Sequence, residues 1–421
     1  MLATYRSILS LLAGTAFLLA ASGLHSLLLP LRGQAEGFST GALGLLGTAW
    51  AGGFVAGCYS APFLVRKVGH VRAFGAFAAS AAIVALTTGL WVDEAVWIAL
   101  RAATGFAMAG AFMVIESWLN ERATNDNRGT VFGLYMMVTY GAITAGQMMV
   151  ATTGISSAVP FMVAALIPTA VSSAASPQPL AGVRLDLSGL YANSPVAAVG
   201  CLLIGIANGA WGTLGAVYGA RAGISAFEIA LMMSIVVIAG AVTQLPIGRI
   251  SDRTDRRYVL STAAFGAALF ALALFAFAPR SAAPILALTG GYGALAYALY
   301  AIAVAHANDH ASPEDFVKVS GGLLLLYGFG TMIGPLMGAF LMERLRPDGL
   351  FLATAAAHFA LGCYALLRAR VRPPVPVEDR EAFKTLPAER AVTPQAGLLD
   401  PRSPDSEDAE PAPDDGGRPP E

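Results

Sequence analysis

Charge is what this sequence has least of. Asp, Glu, Lys and Arg make up only 13% of its 421 residues, against 56% hydrophobic residues, and the mean hydropathy is +0.63. A soluble domain carries roughly 25% charged residues, so that class is excluded, and no nucleic-acid partner is expected. Cysteine is almost as scarce. Cys58, Cys201 and Cys363 all fall inside apolar stretches. An odd number of thiols at lipid depth provides no disulfide framework, leaving packing residues or isolated reactive thiols. CxxC, HExxH and P-loop patterns are missing too, which argues against a metal site and against ATP hydrolysis. No apolar stretch pairs a nucleophile with a base, so the chain is not expected to be an enzyme, and no cofactor is expected.

The little charge present is segregated. Residues 373–421 hold 12 of the 27 acidic residues, 5 of the 26 basic ones and 11 of the 24 prolines. The body is therefore net basic and the tail net acidic. Such a tail cannot form a core and is expected to be disordered.

What remains is long apolar runs. A membrane span needs about 20 apolar residues. On that scale helices are predicted near 8–31, 41–65, 73–92, 95–119, 129–151, 156–174, 195–219, 225–250, 258–278, 283–307, 319–342 and 349–370. The first run could mimic a signal peptide, but its length and the eleven runs after it point to a membrane helix. The sequence thus predicts an all-α membrane protein of twelve transmembrane helices in two pseudo-symmetric six-helix bundles. Residues 1–174 form the first bundle, 175–194 a linker with little structure, 195–372 the second bundle, and 373–421 the tail. With the N-terminus inside, the inner segments carry 15 Lys or Arg and the outer loops five. This bias places both termini in the cytoplasm. An integral, multi-pass protein of the plasma membrane, working as a monomer in the lipid bilayer, is the expectation.

Two basic loops occupy matching places in the halves. Arg66-Lys67-Val68-Gly69-His70-Val71-Arg72 follows the second run, and Gly248-Arg249-Ile250-Ser251-Asp252-Arg253-Thr254-Asp255-Arg256-Arg257 follows the eighth. Such a repeat suggests that six spans were built twice, a plan suited to moving a solute. The second loop resembles the G-x-x-x-D-R/K-x-G-R-R/K loop of the major facilitator superfamily of secondary transporters. Gly248, Asp252, Arg253, Arg256 and Arg257 match, and Asp255 replaces the second glycine. In the first loop Lys67, Gly69 and Arg72 fit, whereas Pro62 and Arg66 stand where the family has glycine and aspartate. Arg101-Ala-Ala-Thr-Gly105 resembles the family's motif on helix 4. Gly330-Thr-Met-Ile-Gly334-Pro335-Leu-Met-Gly338 resembles a GxxxGP motif usually found on helix 5 of antiporters, here on the eleventh span. Glu116-Ser-Trp118-Leu-Asn120-Glu121-Arg122 leading to Arg128-Gly129 is similar to a bacterial group labelled drug or sugar permeases. The resemblance covers about residues 7–370 and implies efflux or uptake of a small molecule, either with protons as the coupling ion or by a facilitator without coupling.

Arg101, about six residues into its span, costs on the order of 3 kcal/mol there unless it faces a wet cavity or a partner. It is read as holding an anionic group or tuning a proton carrier, or else as snorkelling outward. His25, at similar depth, is a relay or a packing histidine. Asn208, Trp211 and Tyr297 lie on helices that the resemblance assigns to the cavity, and they complete the substrate-binding candidates. Glu116 is the only acid well within a first-half span. With Glu121, Arg122, Arg128 and Arg66 it is expected to form a gating or coupling cluster, in which Glu116 or Glu121 supplies the acid that Arg66 lacks. Asp252, Arg253 and Arg256 are expected to do the same in the second half. An alternative function is a sensor or scaffold that signals through the acidic tail.

Overall fold

The computed structural model describes residues 2–122, 128–154, 159–166, 187–311 and 315–376, together with Arg380, Phe383 and Thr393; within these, the side chains of 2–10, 121, 122, 128, 129, 165, 166, 316 and 317 lie outside the description. Apolar runs without interior breaks become helices: α1 Leu2–Ala35, α2 Thr40–Val68, α3 His70–Leu90, α4 Glu94–Arg122, α5 Arg128–Thr153 and α6 Val159–Leu166. After them come α7 Leu187–Asn193, α8 Pro195–Arg221, α9 Ala226–Arg253, α10 Arg256–Phe277, α11 Ala282–Ala296, α12 Leu299–Asn308, α13 Phe316–Arg344 and α14 Leu350–Val371. Ten stretches among the described residues are long and apolar enough to cross a membrane, α11 and α12 together counting as one. The expected twelve is not reached there, because α5 and the described eight residues of α6 fall outside that set.

Polar residues at the ends stop and start these helices. Ser39 caps α2 by accepting from the Ala42 N–H at 3.1 Å, while its own N–H donates to Glu94 at 2.6 Å. Ser225 and Glu228 form a capping box at the start of α9, which satisfies two N–H groups that the helix leaves open. Glu228 is therefore occupied locally. Arg221, the last residue of α8, donates to the Thr40 hydroxyl at 2.9 Å.

The pairing of the first six helices recurs in the later ones. α1 packs on α5, α2 on α4 and α3 on α6; correspondingly α8 packs on α13, α9 on α11 and α10 on α14. Glycine permits the closest of these contacts, as expected where helices associate in lipid by backbone approach. A Cβ at Gly146 would lie 2.0 Å from the Ala20 carbonyl oxygen, and one at Gly334 would lie 2.0 Å from that of Ile206. The Gly330–Gly338 motif is thus the seam between α13 and α8.

The first set meets the second mainly through α2 on α13 and α5 on α9. Thr48 Oγ1 donates to the Met332 carbonyl at 2.7 Å, and Ser234 Oγ donates to Gln147 Oε1 at 3.3 Å. Together with Arg221–Thr40, these bonds lie toward the membrane face away from the chain's ends. The expected linker is described only from residue 187, where it forms α7. Asn193 in α7 donates to the Ala307 carbonyl at 3.1 Å, and its own carbonyl accepts from Arg372 at 3.0 Å.

Candidate functional site

A cavity of about 100 Å³ lies between the two sets at mid-depth. Ser22, Ser26, Trp50, Arg101 and Gln147 line it from the first set, and Asn208, Gly212, Met233, Tyr297 and Tyr327 line it from the second. Arg101 is its one charged lining residue, and no acidic side chain lines it among the described residues.

Arg101 sits on the eighth residue of α4, about 10 Å along the axis from the helix start at 1.5 Å per residue. Its burial is possible because α4 approaches α2 closely: a Cβ at Gly105 would lie 2.1 Å from the Trp50 carbonyl oxygen. That approach brings the guanidinium over the Trp50 ring, 5.8 Å from the centroid, and within 3.4 Å of Ser26 Oγ, to which it donates. The arginine therefore faces the cavity and does not snorkel. A guanidinium over an aromatic face presents a planar fork whose geometry matches a carboxylate or a similar acceptor group.

Tyr297 enters the site through a break in the tenth span, which the sequence analysis treats as one helix. α11 ends at Ala296 and α12 begins at Leu299. The carbonyls freed there are taken by α9: Gln244 Nε2 donates to the Tyr297 oxygen at 3.2 Å, and Thr243 Oγ1 donates to the Ala294 oxygen. Broken backbone at membrane depth is tolerated where protein groups re-satisfy it in this way. Gly240 provides the space, since a Cβ there would lie 2.4 Å from Tyr297 Cβ. Asn208 completes this wall, donating to the Tyr327 hydroxyl at 3.3 Å.

Two expected binding residues lie elsewhere. Trp211 is fully buried away from the cavity, against Tyr292 and Phe351, with ring centroids 5.8 and 6.1 Å away. On α8 it is residues 208 and 212, four apart, that share the cavity face, while position 211 rotates into the bundle. His25 is also buried off the cavity, edge-on to Phe161 at 6.0 Å. Ser22, three residues before it, and Ser26, the next residue, face the cavity instead. Ser26, Met233 and Tyr327 are lining residues that sequence reasoning does not select. The i, i+4 spacing of Ser22 and Ser26 is the signal that could have found the first of them.

The gating candidates divide similarly. Glu116 is fully buried, and it accepts from the Tyr135 hydroxyl at 3.0 Å. Arg66, its expected partner, is exposed and lies over the Phe63 ring, 4.8 Å from the centroid. The side chains of Glu121, Arg122 and Arg128 lie outside the described residues. In the second set Arg256 is 1% exposed and grips Asp309 through two bonds, Nε to Oδ2 at 2.6 Å and Nη2 to Oδ1 at 3.1 Å. It also reaches Asp252 at 3.0 Å. Arg253 is exposed. Asp255 caps α10 and binds the Arg257 guanidinium at 2.7 Å, and Arg257 reaches the Arg372 carbonyl at 2.7 Å. Burial alone would raise the Asp255 carboxyl, but the hydrogen bonds from Arg257 outweigh it and hold the group below its ordinary value. Asp309 thus serves Arg256, and the His306–Asp309–His310 pattern forms no metal cluster among the described residues.

The sequence profile described as Major Facilitator Superfamily matches residues 196–404. An uncharacterized MFS-type transporter, YcaD, of Shigella flexneri serotype 5b is 29% identical over 395 residues, covering 89% of this chain and 99% of the relative. YcaD of Escherichia coli O45:K1 is 28% identical over 389 residues, with the same coverage. Among solved structures, the nucleoside transporter NupG superposes with a TM-score of 0.71 at 14% identity, over 86% of this chain and 98% of that one. A bacterial homolog of the human lysosomal transporter Spinster, in an inward-facing and unoccupied conformation, superposes at 0.67 with 13% identity, over 90% and 98%. The profile match, the near full-length relatives and the recurring helix pairing agree: this multi-pass membrane protein belongs to the Major Facilitator Superfamily and serves transmembrane transport.

Proposed function

We propose that the chain is a secondary transporter that moves a small amphipathic solute by alternating access, and that the solute bears a carboxylate or a similarly acceptor-rich group. The observation carrying this reading is the cavity itself. Both sets of six helices build it, and its one charged lining residue is Arg101. Contacts between the sets lie toward the face away from the termini, as they do when one side of a rocking pair is shut. Trp50 and Tyr297 offer apolar faces, while Ser22, Gln147 and Asn208 offer hydrogen bonds, a mixture that suits an amphipathic ligand.

Residues 1–174 and 195–372 act as the two moving bundles in this reading, joined by 175–194, with the termini in the bacterial cytoplasm. One copy suffices, because the cavity is completed within a single chain. Protons are the coupling ion, and Glu116 with the Arg256–Asp309–Asp252 cluster works as the gate whose bonds break and re-form between states.

Ligand-induced thermal stabilisation of the purified chain tests the substrate class, since a binder stabilises by RT ln(1 + [L]/Kd). Small carboxylic acids are expected to stabilise the wild type and the Lys318→Gln control, and to lose that effect in Arg101→Gln. Stabilisation by neutral sugars or lipophilic cations that survives Arg101→Gln refutes the assignment.

A further inference from the structure

Three residues of the acidic tail, Arg380, Phe383 and Thr393, contact the helices, and between them they reach both sets. Arg380 donates to the Thr254 carbonyl. The Phe383 N–H donates to Asp252 Oδ1 at 2.9 Å, and its ring packs so tightly on Gly248 that a Cβ there would lie 2.0 Å from it. These contacts are at the end of α9, in the second set. Thr393 is 2% exposed and contacts the first set. Its N–H lies 3.2 and 3.1 Å from the two oxygens of Glu116 on α4, and its hydroxyl also donates to that carboxylate.

A carboxylate with no solvent contact needs several donors, because leaving a buried charge unsatisfied is costly. The Tyr135 hydroxyl supplies one donor to Glu116, and Thr393 supplies two more. The geometry points to Glu116 as a docking site for a backbone N–H and a hydroxyl presented together. The ligand it takes is this chain's own tail at Thr393. The anchors are an arginine, a phenylalanine and a threonine, so docking does not depend on the tail's acidic charge and should resist added salt.

Placement gives the docking a consequence. Gly248, Asp252 and Thr254 on one side and Glu116 on the other lie toward the face that carries the termini, opposite the Thr48–Met332 and Gln147–Ser234 contacts. Phe383 bound to α9 and Thr393 bound to α4 tie the two sets together at that face and keep it from closing, so the tail holds the transporter shut on the opposite face. This second step rests on the alternating-access reading; the docking itself does not.

Two measurements on the purified full-length chain test the pair. Trypsin cleavage at Lys384 and Arg390, followed by mass, reports docking. Thr393→Pro removes both donors while altering only the tail, so the membrane body keeps its fold. It is expected to speed cleavage about tenfold or more, as for loss of hydrogen bonds to a charged acceptor, and Phe383→Ala should do so as well. Equal rates in wild type and Thr393→Pro overturn the docking. The second measurement is cross-linking of a Thr48→Cys, Met332→Cys pair, with Cys58, Cys201 and Cys363 replaced by Ser. Adding Thr393→Pro is expected to lower the cross-linked yield by about twofold or more, as the closed population falls. Faster cleavage with an unchanged yield overturns the holding role alone. No cross-link even with the tail intact counts against the alternating-access reading and leaves the docking to the cleavage result.

Discussion

Adding one methyl group at Gly334 is a stringent test of how the second set is packed. A Cβ there would lie 2.0 Å from the Ile206 carbonyl oxygen and 2.8 Å from the Ala210 nitrogen, both backbone atoms of α8. A carbon–oxygen contact settles near 3.3 Å or more, so α13 and α8 must separate by about 1.3 Å. A gap of about 0.5–1 Å already forfeits a quarter to a half of each dispersion contact, and overpacking of this kind costs about 1–3 kcal/mol. Against this stands the ordinary gain of about 0.5–1 kcal/mol when alanine replaces glycine inside a helix. Gly334→Ala is therefore expected to lose about 1 kcal/mol on balance. Gly141→Ala is the control, because nothing lies within 4 Å of a Cβ at that position. It should be neutral or slightly stabilising. Thermal unfolding of both variants in the same detergent separates the two effects. If Gly334→Ala melts at or above the wild type, the close backbone approach of α8 and α13 is refuted.

At the face away from the termini, Arg280 grips the fully buried Asp348 through two bonds of 3.0 and 2.8 Å, and this pairing raises the guanidinium's pKa. Arg280→Ala is expected to cost about 2 kcal/mol in an unfolding titration, and Asp348→Asn less, because it removes the buried charge along with the pair. At the opposite end, Asp255 has a depressed pKa in the folded chain. Its stabilisation is present above the ordinary carboxylate range and is lost as pH falls through the folded value. Asp255→Asn retains a capping oxygen but not the charge, so melting temperature should fall less on acidification below about pH 4 than in wild type. A wild-type-like acid profile in that variant speaks against the Asp255–Arg257 pair as the cause.

Much of the architecture was legible in one dimension because lipid imposes a single rule. Every backbone group must be paired within the membrane, so each long apolar run has to become a helix. The helix starts rest instead on local chemistry that the apolar runs do not report: Ser39, Ser225 and Asp255 are short polar side chains that bond the first open N–H groups. Arg101 stood out because an arginine at that depth requires a purpose. The break at Tyr297–Ala298 was not legible, since it depends on Thr243 and Gln244 from another helix and on the space left by Gly240. Nor was the Arg256–Asp309 pair, whose members are 53 residues apart.

Composition and hydropathy alone therefore determined a polytopic α-helical membrane protein, the repeat of its basic loops, and an arginine to watch. Tertiary structure decided which side chains meet. It placed Arg101, Asn208 and Tyr297 on one cavity, and turned Trp211 and His25 into packing. It also brought the Tyr135 hydroxyl and Thr393 to Glu116 and left Arg66 exposed over Phe63. The physical reason is that hydropathy reports transfer into lipid, a property of each segment. Rotation of a helix about its own axis is set by the neighbours it packs against, and these are chosen only when the helices assemble.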